Sequence, residues 1–248
     1  FLLLTKKRKS ALLDSTNTFI GKNIFIESGA KIKASILNSE SGPIYIGKNV
    51  EIMEGCMIRG PFAMLDHSVL KMGAKIYGGT TLGPFSYIGG ELNNVIFLGY
   101  SNKSHDGFLG NSVIGEWCNF GAGSNNSNLK NNYATVKVWD YVKESFESTG
   151  LQFHGLIMGD HSKCGINTMF NTGTVVGVNT NVYGSGFVRN FIPSFSWGGR
   201  LGFSIYKKHK ALDVVGKVMH RRNVELTDID KNILCKVFDM TKRYRNFD

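Results

Sequence analysis

His105 is the histidine with the most persuasive chemical setting, at the head of HDGFLGNSVIGEWCNFGAGSNNSNLKNN, residues 105–132. An imidazole with an ordinary pKa of about 6.5 is neutral in a cell and can take a proton from an attacking amine or hydroxyl. Lys103 and Asp106 stand beside it and are placed to tune it. Asn119, one residue before Phe120, should point outward, where an amide can bind a substrate hydroxyl or carbonyl. Lys130 and Lys137 could reach phosphate. Each has a plainer alternative: a loop histidine satisfied by backbone, an exposed turn asparagine, solvated lysines. The polar run Ser124 to Asn132 is also adequately explained as loop chemistry.

Two other chemistries are weighed and set aside. A metal shared between subunits would draw on His105, His154 and His161. His154 and His161 are seven apart, so they do not repeat one position of a six-residue rhythm, and no metal is expected. Cys56, Cys118 and Cys164 fall on inward positions of that rhythm and read as packing rather than as nucleophiles. With Cys235 they make four widely spaced cysteines without a CxxC pair, which gives no zinc spacing and favours free thiols over a disulfide framework.

The elements that must position these residues follow a period of six. Ile20, Ile26 and Ile32 open it, and after a slip the series runs Ile46, Ile52, Ile58, Met64, Leu70, Ile76, Leu82, Ile88. Further sets are Phe108, Ile114, Phe120 and Met158, Cys164, Phe170, Val176, Val182, Val188. Two residues before each lies a second, mostly small series: Ile44, Val50, Cys56, Phe62, Ser68, Ala74, Thr80, Ser86, then Leu156, Ser162, Thr168, Thr174, Thr180, Gly186. Positions two apart share one face of a strand. The remaining four residues turn a corner, which glycine after the apolar residue assists. Period six fits neither a helix nor a simple strand; it predicts a triangular coil with three hexads per turn. Seven or so turns at about 4.8 Å each would make a prism about 35 Å long. After the 105–132 run the rhythm breaks, and an irregular excursion over about 127–156 leaves the coil, as long insertions in solenoids do for function.

Residues 1–17 read as a lead-in, and a start at Phe1 suggests part of a longer polypeptide. The coil is expected over 18–190, followed over 191–248 by an exit loop and two helices. Ala211, Leu212, Val215, Val218 and Met219 form one apolar stripe; Ile229, Ile233, Leu234, Val237 and Met240 form another. Thr227 with Asp230 resembles a capping box. The helices should pack on the coil's flank or cover its open end.

The formal net charge is +10, which suggests anionic partners. Lys207, Lys208, Lys210, Lys217, Arg221 and Arg222 face only Asp213, a solvated helix face rather than a nucleic-acid site, since no aromatic-interleaved basic groove accompanies them. No apolar run approaches the roughly 18 residues needed to span a membrane. A reducing cytosol is the expected setting.

The hexads, with HDGFLGNSVIGEWCNFGAGSNNSNL, resemble the left-handed β-helix acyltransferases, and within them the acetyltransferase domain of the bifunctional sugar-1-phosphate nucleotidyltransferase/acetyltransferases. The segment is similar to that family's H-x-x-Y-x-G-(x)n-IG-x-x-x-N-x-GAG core, and GLIMGDHSKCGINTMFNTGTVVG is similar to the rungs after its loop. The PSFSWGG exit and terminal helices resemble GlmU-like sugar nucleotidyltransferases of the Bacteroidetes type. The resemblance implies a left-handed trimeric coil, acetyl-CoA as co-substrate, and an amino sugar or sugar phosphate as acceptor. It puts His105 on the general base, Asn119 on the amino-sugar contact, Ala122 and Asn128 on acetyl-CoA contacts, and Gly184 beside the pantetheine arm. The chain departs from the pattern too. The family tyrosine is Phe108, and the lysine and arginine that grip the sugar phosphate align with Asn93 and Tyr77. Their loss removes a phosphate's main anchor unless Arg59, Lys75 or Lys103 compensates. The nucleotidyltransferase fingerprint is missing from these residues. A non-catalytic trimerisation or regulatory module for such an enzyme is the second expectation.

Overall fold

A computed structural model describes residues 1–6, 8–11 and 14–247. The backbone forms two compact units, 1–113 and 114–248.

The first unit is a three-sided parallel β-coil. One face stacks Thr18–Ile20, Ile36–Asn38, Met57–Arg59 and Lys75–Ile76. A second stacks Ile24–Ile26, Ile44–Ile46, Phe62–Met64 and Thr80–Leu82. A third stacks Lys31–Ile32, Glu51–Ile52, Val69–Leu70, Tyr87–Ile88 and Asn102–Lys103. Glu51 lies against Val69 and Val69 against Tyr87, so each full turn takes eighteen residues, three hexads. The second unit repeats the arrangement. Asn119–Phe120, Lys163–Cys164, Asn181–Val182 and Ser196–Gly199 stack on one face, and Ile157–Met158, Val175–Val176 and Phe191–Ile192 on another.

A face of the first unit carries five strands and a face of the second carries four, more rungs in all than the seven turns the periodicity predicts. The coil continues into the exit segment, where Ser196–Gly199 is a full rung closed by an antiparallel return through Gly202–Ile205. One turn is also shortened. The strand Glu91–Gly99 pairs with Lys75–Ile76 at its start and with Thr81–Leu82 further along, serving two faces across a tightened corner at Asn94, φ +56°.

Both interior series are buried throughout the run from Ile44 to Ile88. The apolar members stack rung upon rung. The small polar ones solve a different problem, because corner carbonyls turned inward need donors. Ser68 donates to Leu65 O, Thr80 to Tyr77 O, Ser162 to Gly177 O and Thr180 to Pro193 O, each within 3.1 Å. A longer side chain there would fill space that the adjacent strand already occupies.

The corner glycines act by close approach. Gly83 and Gly177 have no room for a Cβ, which would collide with Leu98 O and Ser194 N of the next rung. The left-handed residue falls two positions later, on Asn49, Phe85, His161 and Asn179. Where those residues are rings they stack: His67, Phe85 and Tyr100 run face to face at 4.9 Å spacings. Stacking offsets the roughly 1–2 kcal/mol that a non-glycine residue costs in that conformation.

The excursion is an ordered β-hairpin, contrary to the irregular loop expected. Lys137–Asp140 pairs antiparallel with Ser145–Ser148. Asp140 Oδ1 accepts from Val142 N and Lys143 N at 2.7 and 3.0 Å, setting the reversal.

Three helices are present among the described residues: α1 (Leu2–Thr5), α2 (Lys208–His220) and α3 (Asp228–Met240). The capping box at Thr227 and Asp230 is complete in both directions. α2 buries Ala211, Val215 and Met219 of its stripe. The α3 stripe is a correction: only Leu234 is buried, and Ile229, Ile233 and Met240 are 72%, 56% and 63% exposed. Arg245 ties the end of α3 to the coil, donating to Phe238 O, Thr241 Oγ1 and Ser194 O, with its guanidinium 4.2 Å from the Phe238 ring.

Candidate active site

In the first unit, Lys103 ends up far from the role of a substrate-binding cation. It occupies an inward position of the coil, 2% exposed, in register with Ile88 of the rung before. Its Nζ turns to the corner and donates to His105 O at 2.9 Å and Gly89 O at 3.3 Å. The shortened turn is the cause: fifteen residues after Ile88, position 103 takes the place an aliphatic residue would hold. A buried ammonium needs several acceptors, and these carbonyls supply them. The consequence is positional. Lys103 clamps the backbone of His105, leaving its imidazole exposed on the turn. Gly90, at φ +79°, completes the arrangement, since a Cβ there would come within 2.9 Å of both His105 O and Lys103 Nζ.

Phe108 is half-buried rather than a full interior residue; Leu109 takes the inward position after the register shift. Lys75 and Tyr77 do come together. With Arg59, Met57 and Ile36 they line a groove of about 280 Å3 on one face of the first unit. Tyr77 N donates to Leu92 O, which places Asn93 beside Tyr77 on the neighbouring rung. Lys75 is partly engaged by Glu91 at 3.8 Å.

In the second unit, Asn119 is exposed and directed outward, one residue before buried Phe120. Register puts it beside Lys163 on the next strand, a residue the sequence reading passed over. Lys163 is half-buried, burial holds its pKa below the ordinary lysine value, and its Nζ donates to His161 O at 2.8 Å. A lysine at the position just before inward Cys164, next to outward Asn119, was the available signal. His161 itself is buried against Trp117, ring on ring at 6.1 Å. Burial first, then the Lys163 charge, lowers its pKa to about 4, against a weaker opposing pull from Asp230.

Ala122 lies on a corner, where its carbonyl accepts from Asn167 N at 2.8 Å. Asn128 stands at the root of the excursion and its carbonyl accepts from His154 N at 2.9 Å. Gly184, at φ +97°, has open space where a Cβ would point. Cys56, Cys118 and Cys164 are buried, while Cys235 on α3 is only half-buried, a correction to the expectation of buried thiols. Among the described residues no group of three or more His, Cys, Asp or Glu is placed to hold a metal. No described helix is long and apolar enough to cross a membrane.

No protein-family model matches the sequence. The chain is 28% identical over 211 residues to the bifunctional protein GlmU of Clostridium acetobutylicum, covering 75% of this chain and 40% of that protein. It is 31% identical over 166 residues to a bifunctional sugar-1-phosphate nucleotidylyltransferase/acetyltransferase of Sulfurisphaera tokodaii, covering 64% and 37%. The chain therefore spans about two fifths of the length of these curated relatives. Among solved structures, the polySia-specific acetyltransferase NeuO aligns over 77% of this chain and 82% of its own, at 15% identity and a TM-score of 0.39. In sequence, the chain is a relative of the GlmU-like bifunctional sugar-1-phosphate nucleotidyltransferase/acetyltransferases.

Proposed function

We propose that this chain is an acyltransferase domain that moves an acyl group, acetyl in the simplest case, from coenzyme A to an amino sugar or sugar phosphate in nucleotide-sugar synthesis. The observation that carries the reading is the exposed imidazole of His105, its backbone fixed by a buried lysine, at the head of the segment that resembles the acetyltransferase core of the GlmU-like family. His105 takes the proton of the acceptor amine or hydroxyl as that atom attacks the thioester carbonyl. The carbon–sulfur bond then breaks, and the imidazolium returns a proton to the departing thiolate. Backbone N–H groups near Ala122 stabilise the oxyanion, and Asn119 orients the sugar. Ala122, Asn128 and Gly184 lie along the path of the coenzyme.

The domain works as a homotrimer in the cytoplasm. Ile36, Met57 and Tyr77, outward on consecutive rungs and each more than two fifths exposed, give the groove an apolar lining that self-association covers. A nucleotidyltransferase activity in the same protein, as in the bifunctional relatives, would make this one step of a two-step enzyme.

A second reading has its own support. Phe108, Asn93 and Tyr77 stand where the resembled family carries a tyrosine and two cations, which favours a trimerisation or regulatory module with a decayed acyl site. Thiol release from acetyl-CoA, followed with a panel of amino-sugar phosphates and nucleotide sugars, separates the two. Acceptor-dependent release supports acyl transfer; absence of both release and coenzyme A binding supports the module.

A further inference from the structure

The excursion hairpin, the exit strand Phe191–Ile192 and the C-terminal tail line an open cavity of about 720 Å3 in the second unit. That volume is within the range of about 300–1,000 Å3 usual for small-molecule sites. Its lining carries Lys130, Lys137, Arg189 and Arg243 and no carboxylate among the described residues. Arg243 is held by Glu144 at the hairpin tip, at 2.6 Å, and Lys130 donates to Thr135 O at 3.0 Å. Lys137 and Arg189 have no carboxylate partner among the described residues. Cations gathered around one concavity repel each other unless an anion sits among them.

The wall beside them is aromatic. Trp139 stacks on Phe191 at 4.3 Å, with Phe146 and Tyr244 meeting it edge-on at 5.4 and 6.1 Å. Phe146 keeps 43% of its surface exposed. Trp139 Nε1 is buried and has no hydrogen-bond partner among the described residues. The indole therefore offers the cavity its ring and not its N–H.

We propose that this cavity binds a nucleoside diphosphate. The diphosphate lies on Lys137 and Arg189 with Lys130 behind, and the base packs on the aromatic wall around Phe146. Charge-assisted contacts to the diphosphate and stacking of the base supply the affinity. Coenzyme A and nucleotide sugars both carry this chemistry. The site does not depend on the acyl-transfer reading, since none of its cations or rings takes part in the chemistry at His105.

Titration calorimetry of the full chain with UDP, ADP, coenzyme A and inorganic pyrophosphate tests it. The expected result is saturable binding of a nucleoside diphosphate with Kd below about 1 mM, weakened at least about tenfold in Lys137→Ala/Arg189→Ala. Phe146→Ala, which removes the exposed ring of the wall, should weaken nucleotide binding by a smaller factor and leave pyrophosphate unaffected. Displacement of coenzyme A by ADP assigns the cavity to the coenzyme's nucleotide end; UDP binding that leaves coenzyme A bound assigns it to a nucleotide sugar. Absence of binding by all three nucleotides, pyrophosphate binding as tightly as they do, or unchanged affinity in the double variant overturns the proposal. His105→Ala should leave these affinities unchanged even where it ends acyl transfer, so the two readings fail separately. A circular-dichroism melt of each variant separates lost binding from lost folding.

Discussion

The rungs from Ile44 to Ile88 and the excursion from Lys137 to Ser148 solve the problem of order differently. In the rungs, inward side chains stack on the inward side chains of the next turn, mostly eighteen residues away, and hydroxyls such as those of Ser68 and Thr80 meet corner carbonyls. In the hairpin, order comes from a few large rings and one ionic latch, Glu144 with Arg243 and Tyr244. Repetition makes the rungs rigid and leaves them little room for chemistry. The hairpin trades that redundancy for a cationic, aromatic cavity.

Truncations should expose the contrast first. Leu82→Ala, at a fully buried rung position, should cost about 2–5 kcal/mol in chemical denaturation, the range for large-to-small changes in a close-packed core. Phe146→Ala, on the half-exposed hairpin, should cost less than about 1.5 kcal/mol. Equal losses would mean that the hairpin is as integral to the fold as the rungs.

A smaller effect is expected at the corner occupied by His161. Its folded pKa of about 4 lies below the unfolded value near 6.5, so the unfolded chain binds the extra proton between those pH values. Stability is therefore complete above about pH 6.5 and falls as pH drops towards 4, by at most about 3 kcal/mol in total. His161→Asn, which tolerates the left-handed backbone of that corner, should flatten this part of the stability–pH curve. An unchanged slope would show that the ring is not buried neutral.

The smallest expected effect lies outside both regions. Thr227→Ala removes a capping box and should cost about 1 kcal/mol. A loss as large as that of Leu82→Ala would mean that α3 is part of the coil's core.

How much of this the sequence shows follows from the same contrast. Where each rung repeats the last, six-residue spacing alone identifies inside and outside, and both series from Ile44 to Ile88 are buried as read. The reading slips where one turn uses fifteen residues: Lys103 moves inside and Phe108 gives way to Leu109. Period counting has no means of seeing a turn whose corners at Gly90 and Asn94 are short of the usual residues. Hairpin order was missed because its signals, Asp140 at the reversal and alternating Trp139 and Phe146, are single residues without repetition. The α3 stripe misled for another reason. Helical periodicity reports an apolar face, but whether anything covers that face is decided by the rest of the fold or by another chain. At the candidate site, the outward direction of Asn119 was legible from the six-residue spacing, whereas the inward clamp on His105 was visible only in three dimensions.

The account rests most heavily on the imidazole of His105. Its direct test is the steady-state rate of acetyl transfer by the wild-type chain and by His105→Ala, measured with the best acceptor from the panel. The account predicts a fall in kcat of at least about a hundredfold, the usual contribution of a positioned general base, with coenzyme A affinity unchanged. Equal rates in the two proteins would contradict it.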